Sequence, residues 1–141
     1  MDTKTYRVFA WMLSLLFSYV AHFPAFSEAL PRFIDITREC GIDFVHNSGK
    51  FGKKYLPETM GAGCAFIDFD SDGWQDILLL NGRDWVGHPT GRRQTMGLYR
   101  NRHDGTFVDV TQSAGLMISV YGMGVAVADY DNDGNDDFYI S

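Results

Sequence analysis

Two nine-residue stretches carry carboxylates at a spacing suited to holding a cation. The first runs Asp68-Phe69-Asp70-Ser71-Asp72-Gly73-Trp74-Gln75-Asp76, the second Asp129-Tyr130-Asp131-Asn132-Asp133-Gly134-Asn135-Asp136-Asp137. Both read D-x-D-x-D-G-x-x-D. Carboxylates this crowded repel one another unless a positive ion lies between them. Oxygen donors around a mid-loop glycine select a hard cation, Ca2+ before Mg2+. Loop positions 1, 3 and 5 bring three side-chain oxygens to one point. The backbone carbonyl of position 7 and the carboxylate of position 9 close the shell. The candidate ligands are Asp68, Asp70, Asp72, Trp74 and Asp76 in the first loop, and Asp129, Asp131, Asp133, Asn135 and Asp137 in the second. Water would complete about six or seven oxygens. Gly73 and Gly134, at position 6, allow a turn that a side chain would obstruct.

An EF-hand begins in the same way, but it needs a bidentate Glu at position 12 and helices on both sides. Position 12 is Leu79 in one loop and Ile140 in the other, and both flanks read as strands. Dockerin-like helical repeats fail on the flanks and on the period. A haloacid-dehalogenase-type phosphatase also places D-x-D after a buried strand, as at Asp68 and Asp70. That chemistry needs a single site, helical crossovers and a lysine partner, whereas this loop is duplicated in an all-β pattern. No G-x-S-x-G, phosphate-cradling glycine loop or histidine metal spacing occurs. His22, His46, His88 and His103 stand apart from one another and read as surface or loop residues. The residues point away from an enzyme. A pair of metal-free Asx-turns is the plainest alternative for the loops, and four aligned acids occurring twice argue against it.

The loops hold nine of the eighteen Asp and Glu residues of a 141-residue chain whose net charge is −6. The remainder sets twelve Lys and Arg against nine acids, so the acidity is local. Basic pairs such as Lys53-Lys54 and Arg92-Arg93 lack an aromatic stacking pattern in the sequence, and no nucleic-acid partner is expected. At the N-terminus, Lys4 and Arg7 precede an almost wholly apolar run over residues 8–20. Pro24 and the small residues Ala25, Ser27 and Ala29 follow. This reads as a secretory signal helix over residues 1–29, leaving 30–141 as the repeat region. The apolar run is short for a membrane span, and a membrane would be met only through this segment if it is uncleaved. An oxidising compartment permits a disulfide between Cys40 and Cys64. Their repeat equivalents, Ala114 and Val125, instead mark small apolar slots and predict buried free thiols.

What positions the loops is a larger repeat. FIDITRECGI at residues 33–42 matches FVDVTQSAGL at 107–116, and MGAG at 60–63 matches YGMG at 121–124. The first copy carries an insertion in the polar stretch over residues 46–57, which predicts a surface loop. Strands are expected over 63–69, 77–80, 97–101 and 106–110. Arg102-His103-Asp104-Gly105 supplies a hairpin turn between the last two. The pattern starts again at 125–128 and 138–140. A four-stranded antiparallel unit in tandem predicts an all-β, partial β-propeller of about one and a half blades. Propellers close with ~4–8 blades. The chain is therefore expected to be the N-terminal part of a longer, truncated propeller.

The two acidic loops resemble those of FG-GAP/VCBS repeats, which form integrin-alpha-like propellers. RFIDITRECGIDFVHNSG, YLPETMGAGCAFIDFDSDGWQDILLLNG, GLYRNRHDGTFVDVTQSAGL and YGMGVAVADYDNDGNDDFYIS are similar to the cartilage acidic protein family, often joined to an ASPIC/UnbV domain. The resemblance implies a secreted, periplasmic or cell-surface calcium-binding propeller of seven blades used in adhesion. The expected function is an exported module that binds an extracellular protein or glycan, with Ca2+ in a structural role. The alternative is an enzyme on the same scaffold whose active site lies in further blades.

Overall fold

Six short strands carry the fold, in a computed structural model that describes residues 30–141. The expected signal helix over residues 1–29 lies outside the described residues. Asp35–Ser141 forms one compact unit. Strands β1 (Cys64–Ile67), β2 (Asp76–Leu79), β3 (Gly97–Asn101) and β4 (Phe107–Asp109) make an antiparallel sheet in the order β1-β2-β3-β4. Strands β5 (Val125–Ala128) and β6 (Asp137–Ile140) pair as a second antiparallel sheet. This is the expected all-β arrangement, one four-stranded blade and the first hairpin of another. Each acidic loop joins the two strands of such a hairpin. In the first, Ile67 pairs with Asp76 and Cys64 with Leu79, so the loop caps one end of the sheet.

Alternation along the strands decides what is buried. Ala65, Leu78 and Leu98 face one another across β1, β2 and β3. Ile67, Leu78, Leu80, Met96 and Leu98 form the buried cluster, and Val125, Val127, Phe138 and Ile140 of the second sheet pack against it. The core is thus the contact between the two sheets. Each fully buried aliphatic side chain there contributes about 1.5–3 kcal/mol. On the other face of β3, Tyr99 is also fully buried. Its hydroxyl donates to Asp43 at 2.9 Å, and burial, reinforced by that carboxylate, pushes the phenol well above its ordinary pKa.

The spacing of the sheets depends on a glycine pair. A Cβ at Gly63 would lie 3.1 Å from the Gly124 Cα, so the two hairpins meet backbone to backbone. Corresponding bonds anchor each one. Leu80 N–H donates to Gly63 O at 2.9 Å, and Ser141 N–H donates to Gly124 O at 3.0 Å. Gly122 N–H donates to Asn81 O at 3.0 Å and ties the units together.

The repeat that begins at Phe33 and Phe107 is visible as geometry. Gly41 N–H donates to Arg38 O and Gly115 N–H to Gln112 O, both at 3.1 Å, and both glycines have positive φ. Two details differ from expectation. The insertion before β1 contains a one-turn helix, α1 (Leu56–Thr59), with a proline in its first turn, where a missing N–H costs nothing. Glu58 holds it by accepting the Gly52 and Lys54 N–H groups. Both cysteines are free, as predicted, but only Cys40 is buried; Cys64 is exposed. Cys64 alternates with the inward Ala65 and Ile67, so its side chain shares the outer face of β1 with Phe66.

Candidate metal centres

The two loops share four backbone-to-carboxylate hydrogen bonds. Asp68 takes the N–H of Asp72 at 3.0 Å on Oδ1 and that of Gly73 at 2.9 Å on Oδ2. Asp129 takes Asp133 and Gly134 in the same way, both at 3.0 Å. Asp72 Oδ1 accepts from Trp74 N–H and Asp133 Oδ1 from Asn135 N–H, each at 2.8 Å. The closing carboxylates reach back across the loop. Asp76 Oδ2 accepts from Phe69 N–H at 3.1 Å, and Asp137 Oδ2 from Tyr130 N–H at 3.0 Å. Ser71 and Asn132 occupy the left-handed region at φ 57° and 59°, and Gly73 and Gly134 follow at 85° and 89°. The Asx bonds wind each loop so that its acids converge.

Asp68, Asp70 and Asp76 can each place an oxygen within 4.8 Å of the other two, and so can Asp129, Asp131 and Asp137. Asp72 and Asp133 stand outside these triads. Trp74 and Asn135 enter the loops through their backbone N–H groups. All-carboxylate triads of this size can hold a metal ion and have the chemistry of a hard-cation site.

Electrostatics separates the members of the first loop. Asp76 is 1% exposed. Burial raises its pKa, and the Asp70 and Asp72 charges add to that, against N–H bonds from Asn101 and Phe69. A cation in the triad would relieve this strain on the charged form. Asp72 lies on the other side of its ordinary value, held down first by the Trp74 N–H and then by His103 and Arg100. In the second loop Asp133 is held down by the backbone and side-chain amides of Asn135.

Three further residues, none of them a candidate ligand in the sequence, serve these loops. Asn101 N–H donates to Asp76 Oδ1 at 2.7 Å, which fastens the loop to β3. His103 Nε2 lies 2.8 Å from Asp72 Oδ2, and its ring stacks on Trp74 with centroids 4.9 Å apart. Asp136 Oδ2 accepts the Asp68 N–H at 3.2 Å, joining loop to loop, and Ser71 Oγ lies 3.4 Å from Asn135 Oδ1. Asp136 had a signal, since it departs from the repeat where the first loop has Gln75. Nothing in the spacing marks His103.

The description of an FG-GAP-like repeat matches residues 68–140, a span that opens on the first loop and takes in the second. The chain belongs to the FG-GAP-like repeat family. Searches among curated proteins and among solved structures give no match. In this FG-GAP-like chain the matched span begins at Asp68, the first residue of the first acidic loop, and ends at Ile140 on β6. Both triads fall within it. Among the described residues no helix is long and apolar enough to cross a membrane.

Proposed function

We propose that this FG-GAP-like chain is an exported, non-enzymatic propeller module of the cartilage acidic protein type that binds a protein or glycan. Calcium is its structural metal. Asp68, Asp70, Asp72, Asp76 and the Trp74 carbonyl hold one ion. Asp129, Asp131, Asp133, Asp137 and the Asn135 carbonyl hold the second. The metal supplies charge neutralisation there and fastens each hairpin at its turn; no reaction passes through it. The observation that carries the reading is the duplicated triad, one at each hairpin, wound by corresponding bonds. Repeats of this family often bind calcium, which supports the choice of metal. Export is supported by the basic, apolar and small-residue succession at the N-terminus.

The test is isothermal titration of the calcium-free full chain with CaCl2. Two ions per chain are expected, one for each loop. Asp70→Ala/Asp131→Ala should remove both. A parent chain that takes up no calcium, or a double variant that takes up as much as the parent, would refute the assignment.

A further inference from the structure

The opposite end of the first sheet carries a second constellation, made from the insertion before β1 and the long β2–β3 connection. Asn81 organises it. Its Oδ1 accepts the N–H of Asn47 at 2.7 Å and of Gly82 at 3.1 Å, and its amide donates to Arg93 O and Thr95 O. Asp84 is the other fixed point. Its carboxylate accepts from the Asn47 amide, from both the N–H and hydroxyl of Thr90, and from the Gln94 amide. The Asn47 amide first, then the Thr90 hydroxyl and N–H, hold Asp84 below its ordinary pKa.

Between these supports lies a recess of about 260 Å³ lined by Asn47, Ser48, Lys50, Thr90 and Arg92. Lys50 and Arg92 form no ion pair among the described residues, and their side chains, like that of Ser48, are committed to no hydrogen bond there. An aromatic platform adjoins it along the chain. Phe51 follows Lys50 and stacks on His88, centroids 4.0 Å apart and planes 20° off parallel. Trp85 joins the same group against Tyr55 and Tyr121. Its buried indole N–H has no acceptor among the described residues.

Resting on the binding-module reading above, we propose that this recess binds one anionic sugar residue of a glycan. Its carboxylate or sulfate sits between Lys50 and Arg92, and its ring lies against the Phe51–His88 stack. Charge complementarity selects the anion. Lys50, Lys53, Lys54, Arg83 and Arg92 lie on these two segments, against Glu58 and Asp84, whose carboxylates already accept N–H groups. The recess is smaller than the ~300–1,000 Å³ typical of sites that enclose a drug-sized ligand. It admits one ring with a charged substituent. The Phe51–His88 stack, one and two residues along the chain from the lining residues Lys50 and Thr90, suits a molecule with an apolar ring face and an edge of hydroxyls. A nucleic-acid strand would instead need a charged groove spanning several nucleotides.

The experiment is binding of the full chain, saturated with calcium, to polygalacturonate, dextran sulfate, neutral dextran, polyglutamate and duplex DNA. Binding to one or both anionic glycans is expected, and the arm that responds identifies carboxylate or sulfate. Lys50→Gln/Arg92→Gln and Phe51→Ala should each weaken it by about tenfold or more. Arg102→Gln, an exposed charge near the acidic loops, should bind like the parent. The calcium-dependent melting shift must persist in every variant, which shows that the fold survives. Equal or stronger binding to dextran, polyglutamate or DNA overturns the proposal. So does no binding to either anionic glycan, or binding indifferent to Lys50, Arg92 and Phe51. Loss of the calcium response in the parent would instead refute the metal-stabilised reading.

Discussion

Asp76 is bonded to Asn101, 25 residues further along the chain, through a 2.7 Å hydrogen bond from the Asn101 backbone N–H to Oδ1. Its other oxygen holds Phe69 of the loop. One carboxylate therefore fixes the acidic turn to β3. Asp137, its counterpart, makes the loop bond to Tyr130, but it is exposed and has no matching strand bond among the described residues.

Replacing the two aspartates should separate these roles. In calcium-free buffer, Asp76→Ala leaves two backbone N–H groups without their acceptor and should cost about 2–4 kcal/mol. Asp137→Ala should cost about half as much, because it removes one exposed bond. Urea unfolding of both variants measures the difference. Equal costs would mean that the Asn101 bond adds nothing.

Calcium should stabilise the whole chain. Binding to the folded state alone contributes about 3–4 kcal/mol per site at 100–1,000 times the dissociation constant. With both sites filled, melting in CaCl2 against EDTA should therefore differ by roughly 20–40 °C. Asp70→Ala/Asp131→Ala should abolish the difference.

The strands and the two acidic triads were legible because both depend on local pattern. Short apolar runs, Asp-Gly turns and a repeated loop place Asp68, Asp70 and Asp76 together through bonds that span only a few residues. What the sequence hid depends on distant pairing. Lys50 and Arg92 are 42 positions apart and line one recess only because Asn47 bonds to Asn81 and Asp84. The basic pairs show no aromatic interleaving along the chain, yet the fold sets Phe51 on His88. Cys64 was misplaced for a related reason. Its repeat partner Val125 is half-buried between the sheets, whereas Cys64 stands on the outer face of its own strand.

The thiols give a direct check. In the native chain, Cys64 should react rapidly with a thiol reagent such as DTNB. Cys40, whose thiol donates to Thr37 O at 3.2 Å, should react only after unfolding. Two rapid thiols, or a disulfide that must first be reduced, would contradict the arrangement.

Acid should destabilise the chain partly through Asp109. Burial pushes its pKa up, but hydrogen bonds from Thr111 and Arg93 outweigh it and hold the carboxyl below its ordinary value. A group depressed in the folded state contributes stability above its unfolded pKa of ~3.9, and loses it as pH falls through the lower folded value. Asp109→Asn should flatten the stability profile below about pH 4. Identical slopes in parent and variant would exclude Asp109 as a contributor.

The glycine contact between the sheets is testable on its own. Gly63→Ala places a methyl 3.1 Å from the Gly124 backbone, where neither hairpin can yield independently. It should cost about 1–3 kcal/mol. An alanine at Gly61, which meets nothing within 4 Å, is the control and should cost little.

The bonds from Asp68 to Asp136 and between Ser71 and Asn135 mean that the two acidic loops do not order separately. An ion arriving in one loop fixes residues that the other uses, so part of the entropic cost of the second binding event has already been met. The pair then behaves as a single cooperative unit, and its calcium isotherm should be steeper than that of two independent sites.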